Sequence, residues 1–136
     1  MGKRVVVFIT GALFLTGMLS SCTGKEQKVE EITKGFLEAY FDVNYEKAAT
    51  YCTEELAESL MQTFKSLESL DSQVREMVIA NSSKAKTEII EIDTKSKQDT
   101  VIVSYKIFLD NFPGGIDNKL SLVKIGKEWK ITGLGL

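Results

Sequence analysis

Val101-Ile102-Val103-Ser104-Tyr105-Lys106-Ile107-Phe108-Leu109 is the stretch that decides the fold. Val101, Val103, Tyr105, Ile107 and Leu109 alternate with Ile102, Ser104, Lys106 and Phe108. That period of two sorts side chains onto opposite faces only in a pleated strand. Upstream, Thr87-Glu88-Ile89-Ile90-Glu91-Ile92 is a second β-branched run, and the polar Lys95-Ser96-Lys97-Gln98-Asp99 between them reads as a turn. Downstream, Phe112-Pro113-Gly114-Gly115, with the only proline, reads as a loop. Lys119–Ile125 and Glu128–Thr132 follow as two strands joined tightly through Gly126-Lys127.

Ahead of these strands the apolar spacing is helical. Val29, Ile32, Phe36, Leu37, Tyr40 and Phe41 form one stripe, with Glu30, Glu31, Lys34 and Glu38 outside it. Asp42-Val43-Asn44 ends that helix and caps the next, in which Tyr45, Ala48, Ala49 and Cys52 share a face. Thr53-Glu54-Glu55 opens a third, with Thr53 placed to cap and two acids at the positive end of the dipole. Its stripe is Leu56, Leu60, Met61, Phe64 and Leu67. Leu70, Val74, Met77 and Val78 continue the spacing, while Ser69, Asp71 and Ser72 interrupt it, so Leu56 to Ile79 reads as one kinked helix or as two. About three helices followed by about four antiparallel strands predict an α+β domain with the helices on one face of the sheet.

The first residues have a different character. Lys3 and Arg4 precede an uncharged apolar run from Val5 to Leu19, shorter than the ~20 residues an ordinary transmembrane helix needs. A positive start, a brief apolar middle and small residues at the exit mark a secretory signal. Leu19-Ser20-Ser21-Cys22 resembles the lipobox of bacterial lipoproteins. That resemblance implies cleavage before Cys22, a diacylglycerol thioether on its sulfur, and acylation, for instance by palmitate, of the new amino group. It divides the chain into a signal peptide (1–21), the lipidated cysteine with a short polar tether (22–28) and a domain (29–136). Membrane attachment in the cell envelope follows. The family's sorting rule points to the outer membrane, because Thr23 rather than aspartate follows the cysteine.

The segments Asp42–Tyr51, Thr53-Glu54-Glu55-Leu56 and Lys127-Glu128-Trp129-Lys130-Ile131 are similar to NTF2-like domains, in particular to small lipoprotein domains of unknown function of the DUF4878 type. The resemblance spans about residues 29–136. It implies helices closing over a curved sheet to make a cone with a pocket at its wide end.

Without residues 1–21 the net charge of −2 becomes −4, since Lys3 and Arg4 leave, and no basic stripe is present that would suit nucleic acid. The chain has no histidine, which removes Ser-His-Asp and Cys-His systems and nearly all zinc sites. No metal loop or phosphate loop occurs, so no cofactor is expected. With Cys22 acylated, Cys52 is the remaining thiol and reads as a buried structural one. Tyr40, Tyr51, Phe64, Tyr105 and Trp129 are the candidate pocket lining, with Trp129 as a plug at the core end. The leading expectation is a non-enzymatic envelope lipoprotein that binds a small apolar ligand or a protein partner. For the partner, Ile102, Phe108 and Val123 on the outer sheet face are the candidate patch. The resemblance also implies two alternatives. One is a histidine-free isomerase or lyase, with Asp42 or Asp110 as base beside a tyrosine. The other is a structural module that dimerises through its sheet.

Overall fold

The computed structural model describes residues 24–96 and 99–135. The first helix, α1, runs Gly24–Phe41. The expected tether is therefore not a tether over Gly24–Lys28: lysine, glutamate and glutamine are good helix formers, and Glu26 in the first turn suits the positive end of the dipole. Val29, Thr33, Phe36, Leu37 and Ala39 are its buried residues. Its end is a Schellman turn, in which Asn44 N–H donates to Ala39 O (2.8 Å) and Val43 N–H to Tyr40 O (3.1 Å). Val43 takes the left-handed position, φ 60°, that glycine usually fills, and its side chain is buried.

Asn44 caps α2 (Tyr45–Ala49) by accepting from Lys47 N–H, as its sequence position predicts. Thr53 precedes α3 (Glu54–Glu68) without a side-chain cap. Its backbone is committed elsewhere: Thr53 N–H donates to Ile131 O (2.9 Å), and Ile131 N–H donates to Tyr51 O (2.9 Å). The open choice between one helix and two resolves as two. Asp71 accepts from Gln73 N–H and starts α4 (Ser72–Ser83) afresh.

The strands β1 (Lys86–Asp93), β2 (Thr100–Leu109), β3 (Phe112–Ile125) and β4 (Glu128–Leu134) form one antiparallel sheet in chain order. The predicted loop Phe112–Gly115 is the start of β3. The chain reverses within Asp110-Asn111, because Leu109 pairs directly with Phe112. Pro113 is tolerated beside the register irregularity at Ile107/Leu109, where the ladder does not require its missing N–H. Gly115, at φ +87°, lies under the Phe108 ring; a methyl group there would sit 2.9 Å from it. Gly126, φ +64°, makes the tight β3–β4 turn that pairs Ile125 with Glu128.

Register assigns the faces. Val103 pairs with Leu120, and Val101 with Leu122, which pairs with Ile131. All five are fully buried, with Val29 and Phe36 in the same core. Each such side chain contributes about 1.5–3 kcal/mol on leaving water. Among the described residues the arrangement is an α+β fold with four helices and an open antiparallel sheet, consistent with an NTF2-like cone. Register shifts at Ile89/Glu91, Ile107/Leu109 and Ser121/Leu122 are of the kind that bend a sheet.

Two stability changes of opposite sign follow. Thr33 is fully buried and its hydroxyl has no hydrogen-bond partner among the described residues. Thr33→Val keeps the shape and removes the stranded group, so urea unfolding followed by Trp129 fluorescence should show a gain of about 1 kcal/mol. Phe36→Ala should lose about 3–5 kcal/mol in the same assay.

Candidate functional site

The five candidate lining residues do not form one pocket. Tyr40, Phe64 and Tyr105 belong to one group, Tyr51 and Trp129 to another. In the first group the Tyr40 ring stacks on Phe36 (centroids 5.5 Å), meets Phe41 edge-on (5.2 Å) and tilts against Tyr45 (5.4 Å); Tyr45 in turn meets Phe64 edge-on (6.5 Å). Tyr105 is buried beside them. Desolvation, with Tyr40 nearby, pushes its hydroxyl up to about 12, and the same causes in the same order raise Tyr45. Both phenols stay protonated at neutral pH. They pack, donate and accept; they are not bases.

Tyr45 is the member the sequence reading did not assign to the lining. Its signal was local: an aromatic residue directly after the Asn44 cap, one turn from the end of an aromatic-rich helix.

The second group lies near the start of α1. Trp129 is buried, with Lys25 Nζ 5.1 Å from its ring centroid. It packs in the core cluster at the edge of two open grooves, with lysine over its ring. Tyr51 and Trp129 share a groove of about 330 Å³ with Lys28, Lys127 and Lys130. The Tyr51 hydroxyl rests on Gly35, where a methyl group would be 2.5 Å away. Sequence reading missed the lysines because they are distributed over both ends of the chain.

Asp42 and Asp110 are both exposed, at the ends of their elements. Every aspartate and glutamate among the described residues is exposed or half-exposed. An isomerase of the implied kind needs a carboxylate held against an apolar wall beside a tyrosine, and the described residues contain no such pair. They also contain no cluster of three acidic or thiol side chains placed to hold a metal ion. Cys22 lies outside the described residues.

The outer sheet face also departs from expectation. Ile102, Phe108 and Val123 are half-buried. Phe108 lies over Gly115, and around these residues stand Ser104, Ser121, Lys119 and the Lys106–Asp117 ion pair (2.8 Å). This face is mixed, not an apolar patch. Exposed apolar side chains stand on both layers: Ile90, Phe112, Ile116 and Ile125 along β1 and β3, and Leu70, Val74, Met77 and Val78 before and along α4; what sets α4 apart is that it buries no residue at all.

Compared with known proteins, the chain matches no family model, no curated protein and no solved structure.

Cys52 is buried, and its Sγ–H donates to Ala48 O (3.3 Å). Desolvation pushes the thiol up to about 12, with Lys130 opposing weakly. A raised pKa means less thiolate, so alkylation of Cys52 at pH 8 should run roughly a thousandfold slower in the native protein than in urea. Peptide mass spectrometry with iodoacetamide reads this directly; equal rates would contradict the buried thiol.

Proposed function

We propose that this protein is a lipid-anchored module of the bacterial envelope that docks a protein partner through the exposed apolar stripe of α4. The observation that carries this reading is the contrast within one helix. Val74, Met77 and Val78 fall at i, i+3 and i+4, the spacing by which a helix buries one face, yet none is buried, and Leu70, just ahead of the Asp71 cap, is exposed as well. Water-exposed stripes of this kind mark interaction surfaces, and an amphipathic helix presents them as a row of anchors. The half-exposed rings of Tyr40, Tyr45 and Phe64 are on α1, α2 and α3.

The small-ligand version has less support. The aromatic group is packed ring on ring, and the grooves among the described residues are open and lined largely by polar side chains. The anchor part rests on the lipobox resemblance at Leu19–Cys22 and on the helical domain starting two residues later, at Gly24.

The test is site-specific photocrosslinking in the producing cell. A benzoylphenylalanine at Met77 should give one discrete heteromeric adduct, and the same probe at Ser104 on the outer sheet face should give none. Val74→Glu should abolish the adduct from position 77 while changing unfolding by no more than about 0.5 kcal/mol, as expected for a surface site. Adducts only to lipid, or only to a second copy, would overturn the partner reading. Labelled palmitate, incorporated by the natural protein and absent from Cys22→Ser, tests the anchor separately.

A further inference from the structure

Three chain segments distant in sequence meet at one end of the domain: the first turns of α1, Asp99 just ahead of β2, and the β3–β4 turn. Together they enclose an open groove of about 430 Å³ lined by Lys25, Lys28, Lys124, Lys127, Asp99 and Trp129. Four lysines face one aspartate there, in a chain whose net charge is negative. Lys25 is over the Trp129 ring. Lys28, Lys124 and Lys127 are exposed and form no ion pair among the described residues, whereas Lys34, Lys106 and Lys130 each have an acidic partner. Glu31 and Glu128 border the adjoining groove, and Glu128 is engaged by Lys130 at 3.6 Å. Like charges left unpaired in a concave site repel one another, and that repulsion is relieved by an anion.

We infer that this lysine-lined end is a docking surface for the anionic phosphate headgroups of the bilayer that carries the anchor. Charge complementarity supports the occupant, and so does the place where the chain enters. A single residue, Thr23, separates the candidate acylated Cys22 from Gly24, which itself lines the groove. At ~3.6 Å per residue, an acylated Cys22 holds the groove within a few ångströms of the headgroups. Because α1 is helical from Gly24, the domain has no slack with which to turn this end away. The inference rests on the anchor reading above for its geometry.

The experiment uses the lipoprotein purified from membranes and reconstituted into vesicles of phosphatidylcholine alone or of phosphatidylcholine with phosphatidylglycerol. Lysine acylation by an amine-reactive ester is read residue by residue by mass spectrometry. Lys25, Lys28, Lys124 and Lys127 should react about fivefold or more slowly on the anionic vesicles, the factor a surface-held lysine gains from an anionic leaflet. Lys84 and Lys86, where α4 meets β1 at the opposite end, should react equally on both. High salt should erase the difference, and K124E/K127E should restore the reactivity of Lys25 and Lys28. Equal rates on the two vesicles would overturn the inference. So would equal protection by inorganic phosphate on neutral vesicles, which assigns the groove to a soluble anion, or protection in cells alone, which assigns it to an acidic protein. The intact mass of the amino terminus, measured on the same sample, shows whether an acyl anchor is present, so failure of the anchor and failure of the docking are told apart.

Discussion

The structure depends on a single apolar contact between α1 and the inner face of β2, β3 and β4. Val29, Phe36 and Leu37 from the helix close over Val101, Val103, Leu120, Leu122 and Ile131 from the sheet. Because a strand sends alternate residues to opposite faces, committing this set inward sends Ser104, Lys106, Lys119 and Ser121 outward, and the outer face becomes mixed without further selection. The same contact governs the edges. The loop after α2 lies along β4, bridging Cys52 to Ile131, so one edge of the sheet is covered by backbone hydrogen bonds from Tyr51 and Thr53.

What could be read from the sequence follows from how local each signal is. The alternation of Val101–Leu109 and the stripe from Val29 to Phe41 are properties of short windows, and both elements stand where the pattern puts them. Asn44 caps because capping needs only the next three residues. Thr53 does not cap, because its backbone answers to Ile131, 78 positions away, which no local pattern reveals. The Phe112–Gly115 segment misled for the same reason. Proline and two glycines are loop signals in isolation, but pairing with β2 overrides them, and Gly115 is where the Phe108 ring needs room.

The candidate site shows the same division more sharply. Alternation and helical spacing correctly mark Tyr105 and Trp129 as inward. Periodicity gives the face of an element, not the position along the assembled core, so it could not separate Tyr40, Phe64 and Tyr105 from Tyr51 and Trp129. The lysine groove was less legible still. Lys25 and Lys28 precede Lys124 and Lys127 by about a hundred residues, and only the antiparallel order of the sheet brings the β3–β4 turn to the start of α1.

α1 gives the domain its polarity. At 1.5 Å per residue its axis carries Tyr40 about 23 Å from Lys25, so the uncovered lysines and the aromatic group occupy opposite ends of one rigid rod. At the far end α4 is attached by polar links: Arg75 to Glu68 O (3.0 Å) and Ser82 Oγ–H to Phe41 O (2.6 Å). A helix of 12 residues is marginal on its own in water, and these links with the Asp71 cap contribute far less than a buried face would. Moving α4 from its place would sacrifice the Ser82–Phe41 and Arg75–Glu68 bonds and the partial burial of Ile79, but no fully buried side chain. α4 is therefore the element that can be repacked at least cost to the core, and its apolar stripe is what such repacking would cover.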